Sequence, residues 1–551
     1  MGLLAQKPRP EYLGLCQQTV DSAPNIYIPM TPLPPVAMKW RKGLRAAIGV
    51  ALCIAGFALA WATPYRETTV IVGAGGCRLV TDVIDQGNDD PRGYVVLFHG
   101  LAANKKIMSY LARGFANENL RVFVPDLPGH GRTPGPFSFE RAEACADSLV
   151  RELIARRAID PQRTMLAGHS MGGAIAIRVA ARVGVAGVVA ISPAPQRVAH
   201  GVPPEMLPYT NPPPLPPHTL AISAAFEPLG IRDSTRDLMA GDAAATGKYL
   251  FMPDATHVSV LGDSRVVRAS QEWTAETLKF PAAPSAPSSL PLAGSLAGLA
   301  GILLLAGPFL RETMGMQRAE TTSSQAATPD PQNAGGAPPV VPVFRALLET
   351  AAVSFLAVVV LRFWDPLSFV RLYNGAYFAS FLLIAGLTLL LLHHKSARAL
   401  FPTKINILLR ASLAGLVMHL LVTGWFDTTF MEAWLSWSRW ARFPALFVAA
   451  LAYLLAEELL LGPPAVRSSA ARIWLALTLR LIAFLALVFG IFVLHSGAIL
   501  VLLLAVYLAL FFLFQRLGMD LVRRQTGSPI AAAVFGAILL AGFCLVIFPV
   551  T

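Results

Sequence analysis

Nine long apolar runs divide this 551-residue chain, at about 46–62, 290–310, 346–364, 374–393, 406–425, 443–461, 473–494, 497–515 and 529–549. As a helix, each is long enough to cross the hydrocarbon layer of a bilayer, the first if it starts near Leu44. A backbone in lipid must satisfy its own hydrogen bonds, so runs of this kind predict helices. Hydrophobic residues make up 54% of the chain and charged residues 14%, a balance that leaves much of the surface to lipid. An integral, multi-pass membrane protein is expected.

Formal net charge is +12. The basic residues stand mostly at the ends of the apolar runs, where they set orientation. No basic patch interleaved with aromatics occurs, which argues against nucleic acid as a partner. Lys39, Arg41, Lys42 and Arg45 precede the first run, so residues 1–43 are expected in the cytoplasm and 44–63 as an uncleaved anchor. If the runs alternate, Arg311, Arg318, Lys395, Arg398, Lys404, Arg467, Arg472, Arg516, Arg523 and Arg524 fall on that same side. Arg362, Arg371, Arg439 and Arg442 fall opposite, so the bias is clear but incomplete. The polar stretch 66–280 is then expected on the non-cytoplasmic side.

That stretch has a different texture. Short β-branched runs at 77–84, 94–99, 121–125, 164–167, 187–191, 219–223 and 248–252 alternate with helical patterns at 104–117, 139–157, 171–182 and 264–278. This is the pattern of a mostly parallel sheet with crossover helices. A Pro/Ala/Ser linker at 281–289 closes it and leads into a helix ending near 311. Residues 312–342 are polar, proline-rich and expected to be disordered, and 343–551 form an all-α polytopic region. In the run 290–310, Gly294 and Gly298 have the spacing that lets helices approach closely. Of the five cysteines, Cys53 and Cys544 fall in apolar runs, and no CxxC motif occurs. Cys77 and Cys145 share the polar domain. An oxidising compartment would allow them to pair, but two small buried residues is the reading favoured here.

The chemistry is concentrated in Gly168-His169-Ser170-Met171-Gly172. It fits G-x-S-x-G, follows an expected strand and opens an expected helix. A nucleophilic serine needs that setting: a tight strand-to-helix turn that exposes its hydroxyl, with glycines where a Cβ would clash. The helix N-terminus favours the negative charge that develops in acyl transfer. Upstream, an apolar strand ends in His99-Gly100-Leu101. A second oxyanion donor is needed from the loop there, so the backbone N–H groups of Leu101 and Met171 are the candidates. His99 precedes the serine and is read as a packed residue shaping that loop.

His257 follows the last expected strand and precedes the last helix, which in the serine–acid–histidine order implied by the resemblance given next is the place for a general base. His200 and His218 are the competing histidines, both among prolines. The acid should lie after strand 219–223, where it would orient the imidazole. Glu227 is nearest, Asp233 is the alternative, and Asp237 and Asp254 follow.

The run from His99-Gly100 through Asp126-Leu127-Pro128-Gly129-His130-Gly131 to Gly168-His169-Ser170-Met171-Gly172-Gly173 resembles the α/β-hydrolase superfamily, in its monoacylglycerol-lipase and serine-aminopeptidase-like branch. The resemblance covers about 66–280 and not the membrane half. It implies that Asp126 and His130 shape the site rather than perform chemistry. A cap normally lies between the sixth and seventh strands. Here that interval, 194–217, is short, proline-rich and stiff, which implies an open site.

In the membrane half, Glu349, His419, Glu457, Glu458 and Arg480 are ionisable residues within apolar runs. Glu457-Glu458 resembles the paired glutamates of CAAX-protease-like membrane enzymes, but Gly462 stands where that family has arginine. A helix-end or interhelical role is expected instead. The expected activity is cleavage of esters, or amides, of a small-molecule or lipid substrate through an acyl-enzyme on Ser170, with no cofactor or metal. Acyl transfer at the same site, and an inactive domain on a membrane interaction or transport protein, are the alternatives. The sequence identifies no protein partner.

Overall fold

The computed structural model describes residues 35–74, 76–194, 215–240, 246–314, 341–397, 403–462 and 467–551. Most of the expected N-terminal segment, of the proline-rich interval 194–217 and of the loop 312–342 lies outside the described residues, as does His200.

After helix α1 (Pro35–Trp61), eight strands form one sheet: β1 (Arg66–Ala74), β2 (Cys77–Asp85), β3 (Gly93–Phe98), β4 (Leu120–Pro125), β5 (Thr164–His169), β6 (Gly187–Ile191), β7 (Thr219–Phe226) and β8 (Lys248–Thr256). Their order is β1-β2-β4-β3-β5-β6-β7-β8. β1 pairs antiparallel with β2, and β2 antiparallel with β4. From β4 to β8 every pairing is parallel. The connecting helices are α2 (Ser109–Asn117), α3 (Phe139–Ala155), α4 (Met171–Val183), α5 (Leu229–Leu238) and α6 (Ser264–Leu278).

Helices cover both faces of the sheet, which explains why its central strands read as unbroken apolar runs. Along β3, Val96 and Phe98 pack into the core with α3 and α4, while Val95 and Leu97 pack into the core with α2 and α6. The sequence pattern did not predict β1 or α5. β1 is an edge strand with Val70 and Ile71 exposed, so it lacks the burial signature of its neighbours. α5 reads LGIRDSTRDL, with too few apolar residues to mark a helix.

Cys77, at the start of β2, and Cys145, in α3, form a disulfide with Cα atoms 5.4 Å apart. The expectation of two separate buried cysteines is therefore corrected. Topology brings the pair together across 68 residues of chain, which spacing alone does not reveal.

The helical half comprises α7 (Leu290–Met314), α8 (Val343–Leu361), α9 (Gly375–Leu392), α10 (Ile405–Thr429), α11 (Phe443–Leu461), α12 (Ser469–Phe492), α13 (Ala505–Thr526) and α14 (Pro529–Ile547). With α1, nine helices among the described residues are long and apolar enough to cross a membrane. Gly294 and Gly298 meet α1 closely: a Cβ at Gly56 would lie 2.6 Å from the Gly294 carbonyl oxygen. The expected run 497–515 is displaced. The helix there is α13, and Ile499–Leu503 is a separate short turn.

The displacement has a physical cause. α13 carries Gln515, Arg516, Asp520 and Arg523, which end a hydropathy run but are buried and paired here. Arg480 grips Glu457 at 2.6 and 2.9 Å, and Arg516 reaches both Glu457 and Glu458, at 3.0 and 2.5 Å. Arg523 bonds Glu458, and Arg472 holds Asp520 at 2.7 Å. Buried charges are strongly disfavoured unless paired in this way. Glu457 and Glu458 are thus interhelical. Glu349 bonds Arg345 and His393, both at 2.7 Å, and His419 is packed against Gly542 and Trp440.

Among the described residues, three parts of the helical half touch the sheet domain: Tyr373 after α8, residues 427–439 at and beyond the end of α10, and Val550 after α14. Tyr373 packs on Phe137 and Phe139, and Val550 exchanges backbone hydrogen bonds with Gly129 and Phe137. All three belong to one end of the bundle, as alternating spans require. Arg439 and Arg442, basic residues at this end, are held by backbone carbonyls: Arg439 by Gly129, Leu545 and Phe548, Arg442 by Val370 and Ser438.

Candidate active site

Ser170 stands between β5 and α4 with φ 55° and ψ −119°. This left-handed backbone is costly for a residue with a Cβ and persists only where its surroundings impose it. The neighbours impose it here. A Cβ at Gly172 would lie 2.2 Å from the Phe98 carbonyl oxygen, and one at Gly168 would lie 2.2 Å from that of Gly172. The Ser170 N–H donates to the Ile191 carbonyl at 2.9 Å, and its carbonyl accepts from Ala194 at 2.9 Å. Ser170 therefore caps the N-terminus of α4, where the first N–H groups have no helical partner.

His257 follows β8, and its Nδ1 lies 3.1 Å from Oε2 of Glu227. A carboxylate only accepts, so the neutral imidazole carries its proton on Nδ1 and leaves Nε2 as a base. The second oxygen of Glu227 accepts from the Ala224 N–H at 3.0 Å, so both oxygens are engaged. The other carboxylates expected as candidates are occupied elsewhere. Asp233 is paired with Arg232 and Arg236, Asp237 with Arg236, and Asp254 with Arg265. His218 lies ahead of β7, where its carbonyl accepts from Trp273.

The sequence assigned no task to His169. Its Nε2–H donates to the His257 carbonyl at 2.7 Å, and the two rings lie 4.7 Å apart. The residue before Ser170 thereby ties the turn of Ser170 to the loop that carries His257. As the variable position of G-x-S-x-G, it gives no signal in the motif. Burial pushes its ring down to about 3, so it stays uncharged.

His99 is the loop-shaping residue expected. Its Nδ1–H donates to the Gly100 carbonyl at 2.8 Å, and its Nε2 accepts from Leu127 at 2.9 Å. Burial lowers its pKa to about 4. His130 Nε2 accepts from Ala102 at 3.2 Å, and burial holds this ring well below its ordinary value. Ala102 has φ 59°, a strained value that this bond helps hold beside Leu101. Asp126 accepts from the Lys105 N–H at 2.9 Å and the Arg132 N–H at 3.0 Å, stitching the two loops together. Among the described residues, no three His, Cys, Asp or Glu side chains gather where they could hold a metal ion.

The chain matches the family described as serine aminopeptidase, S33, over residues 89–211. It is 35% identical over 119 residues to a monoacylglycerol lipase of Mycolicibacterium smegmatis, covering 21% of this chain and 42% of that one. It is 37% identical over 90 residues to a pimeloyl-[acyl-carrier protein] methyl ester esterase of Aromatoleum aromaticum, covering 16% and 31%. The sheet domain has the α/β-hydrolase fold. The chain spans less than half the length of these curated relatives. Among solved structures, a hyperthermophilic esterase from the archaeon Pyrobaculum calidifontis aligns over 45% of this chain and 99% of its own, at 17% identity and a TM-score of 0.34.

The hydrolase domain meets the helical half at its site-shaping loops. Lys105 Nζ lies between Asp126, at 3.1 Å, and Glu432. Glu432 also accepts from the Arg132 N–H at 3.2 Å, and its carbonyl accepts from Asn104 at 3.3 Å. Lys106 bonds the Asp427 carbonyl, and Arg132 bonds its carboxylate at 3.1 Å. Arg439 donates to the Gly129 carbonyl at 2.8 Å. Burial and the neighbouring Asp126 push Glu432 up to about 7. Leu101 and Ala102 pack against the core of the helical half.

Proposed function

We propose that this protein is a membrane-anchored serine hydrolase that cleaves esters, or amides, through an acyl-enzyme on Ser170. His257 Nε2 takes the Ser170 hydroxyl proton as Oγ attacks the carbonyl carbon. The N–H groups of Leu101 and Met171 receive the developing oxyanion. The tetrahedral intermediate collapses, and the departing alcohol or amine takes that proton from His257. Water then repeats the sequence on the acyl-serine, with His257 again as base. Glu227 fixes the imidazole tautomer and stabilises the imidazolium.

One observation carries this reading: a strained Ser170 at a helix N-terminus, joined through His169 to a histidine already paired with Glu227. That pairing also weighs against an inactive domain. The nine apolar helices support a multi-pass membrane location, and the charge pattern supports a hydrolase domain on the non-cytoplasmic side.

The test is pre-steady-state hydrolysis of p-nitrophenyl butyrate by the full chain in detergent. An acyl-enzyme gives a burst of one p-nitrophenolate per active molecule, absent in Ser170→Ala. Turnover that survives in Ser170→Ala would refute the assignment.

A further inference from the structure

We infer that Glu432, a residue of the helical half, is a positioning residue for the oxyanion loop of the hydrolase domain. The inference rests on the serine-hydrolase reading and adds a task for the part of the chain outside the hydrolase fold.

The argument runs through two loops. The loop after β3 carries Leu101, Ala102, Asn104 and Lys105. The loop after β4 carries Asp126, Gly129, His130 and Arg132. Leu101 can present its N–H to an oxyanion only if Ala102 keeps its strained backbone, and Ala102 is bonded to His130. The distance between the two loops therefore sets the oxyanion donor. Glu432 bridges them directly. Its carboxylate bonds Lys105 on the first loop and the Arg132 N–H on the second, while its carbonyl accepts from Asn104 on the first. Glu432 is buried, as are Lys105 and Asp126, so water does not replace these bonds when one is lost.

Interface residues nearby do less. The Asp427 carboxylate reaches the Arg132 side chain across the junction and the backbone N–H groups of Ala433 and Trp434 within the helical half. Its side chain joins only the second loop to the helical half; the first loop is reached through its backbone carbonyl, which accepts from Lys106 and which a change of side chain leaves in place. Such an arrangement makes acylation depend on the helical half, although that half contributes no group to the reaction itself. Oxyanion donors act in the transition state, so loosening one lowers kcat and leaves KM nearly unchanged.

The experiment uses the full chain in detergent, with p-nitrophenyl butyrate turnover and the rate of fluorophosphonate labelling as readouts. Glu432→Ala is expected to lower kcat and the labelling rate by ~10- to 100-fold, with KM within about threefold of wild type. Glu432→Gln keeps an oxygen acceptor in place and is expected to recover most of the loss. Asp427→Asn is expected to leave kcat within about twofold. Should Glu432→Ala not fold, Glu432→Leu fills the site with an apolar side chain of similar size while Lys105 keeps Asp126 as its partner. It is expected to show the same fall in kcat. Wild-type kcat in a folded variant that lacks the acceptor, Glu432→Ala or its apolar replacement, would overturn the inference while leaving Ser170 labelling intact. So would an equal loss in Asp427→Asn, which would reduce Glu432 to one docking contact among several. A wild-type protein that does not label would instead remove the hydrolase reading, and this inference with it.

Discussion

His257 Nδ1 and Glu227 Oε2 lie 3.1 Å apart, with the other Glu227 oxygen held by the Ala224 N–H. Glu227 is thus placed to act on the histidine and is fixed in that placement. Glu227→Gln is expected to lower kcat by ~10³- to 10⁴-fold, because an amide can leave the imidazole in the wrong tautomer. Asp233→Asn is expected to change kcat by no more than about twofold, since Asp233 is half-exposed and paired with arginines. Steady-state kinetics of the two variants decides between them.

The disulfide between Cys77 and Cys145 closes 68 residues around β3, β4 and the site-shaping loops. Restricting the unfolded chain over that length contributes ~4 kcal/mol in the chain-entropy account. Cys77→Ser with Cys145→Ser is expected to lower the stability of the hydrolase domain by roughly 2–5 kcal/mol. The denaturation midpoint of the full chain, with and without reductant, measures it. Reductant should move the wild-type midpoint and leave the double variant unmoved.

Acid should destabilise the hydrolase domain through its buried histidines. The pKa of His99 falls to about 4 and that of His169 to about 3 on folding, both through burial. Between their ordinary value near 6.5 and those folded values, the unfolded chain binds protons that the folded one refuses. Stability is therefore full above about pH 6.5 and falls as pH is lowered toward 4, by ~3 kcal/mol for each such histidine. His99→Gln keeps a donor and an acceptor without the titration. Its unfolding midpoint should depend less steeply on pH over this window than that of wild type.

The helix contact of Gly56 with Gly294 and Gly298 is close enough to exclude any side chain. Gly298→Leu would also drive a side chain into the Trp425 ring, 1.8 Å from the position of its Cβ. Overpacking of this kind costs about 1–3 kcal/mol or more. The expected result is loss of the α1–α7 contact, read as a fall in cross-linking between cysteines introduced on the two helices.

The sequence made the catalytic motif legible because that part is local. Ser170, Gly168 and Gly172 sit within one strand-to-helix turn, and His257 stands out from His200 and His218 by its place after the last expected strand and before the last helix. The acid was harder to read. Glu227, Asp233, Asp237 and Asp254 all fall between the β7 run and His257, and only the tertiary arrangement brings Glu227 to His257 while giving Asp233 and Asp254 arginine partners. His169, the disulfide and Glu432 were not legible for the same reason, since each depends on contacts across 68 to 327 residues of chain. The end of α13 was misplaced because hydropathy treats arginine as a terminator. Arg516 and Arg523 are instead internal to the bundle, paired with glutamates 58 and 65 residues away. β1 escaped notice because an exposed edge strand carries no burial pattern.

The central claim is that Ser170 is an activated nucleophile. The most direct measurement is fluorophosphonate labelling of the full chain in detergent, with the modified residue located by peptide mass spectrometry. The account predicts a single covalent adduct on Ser170, absent in Ser170→Ala and slowed in Glu227→Gln. A folded wild-type protein that takes up no probe, or takes it up at another serine, would contradict it.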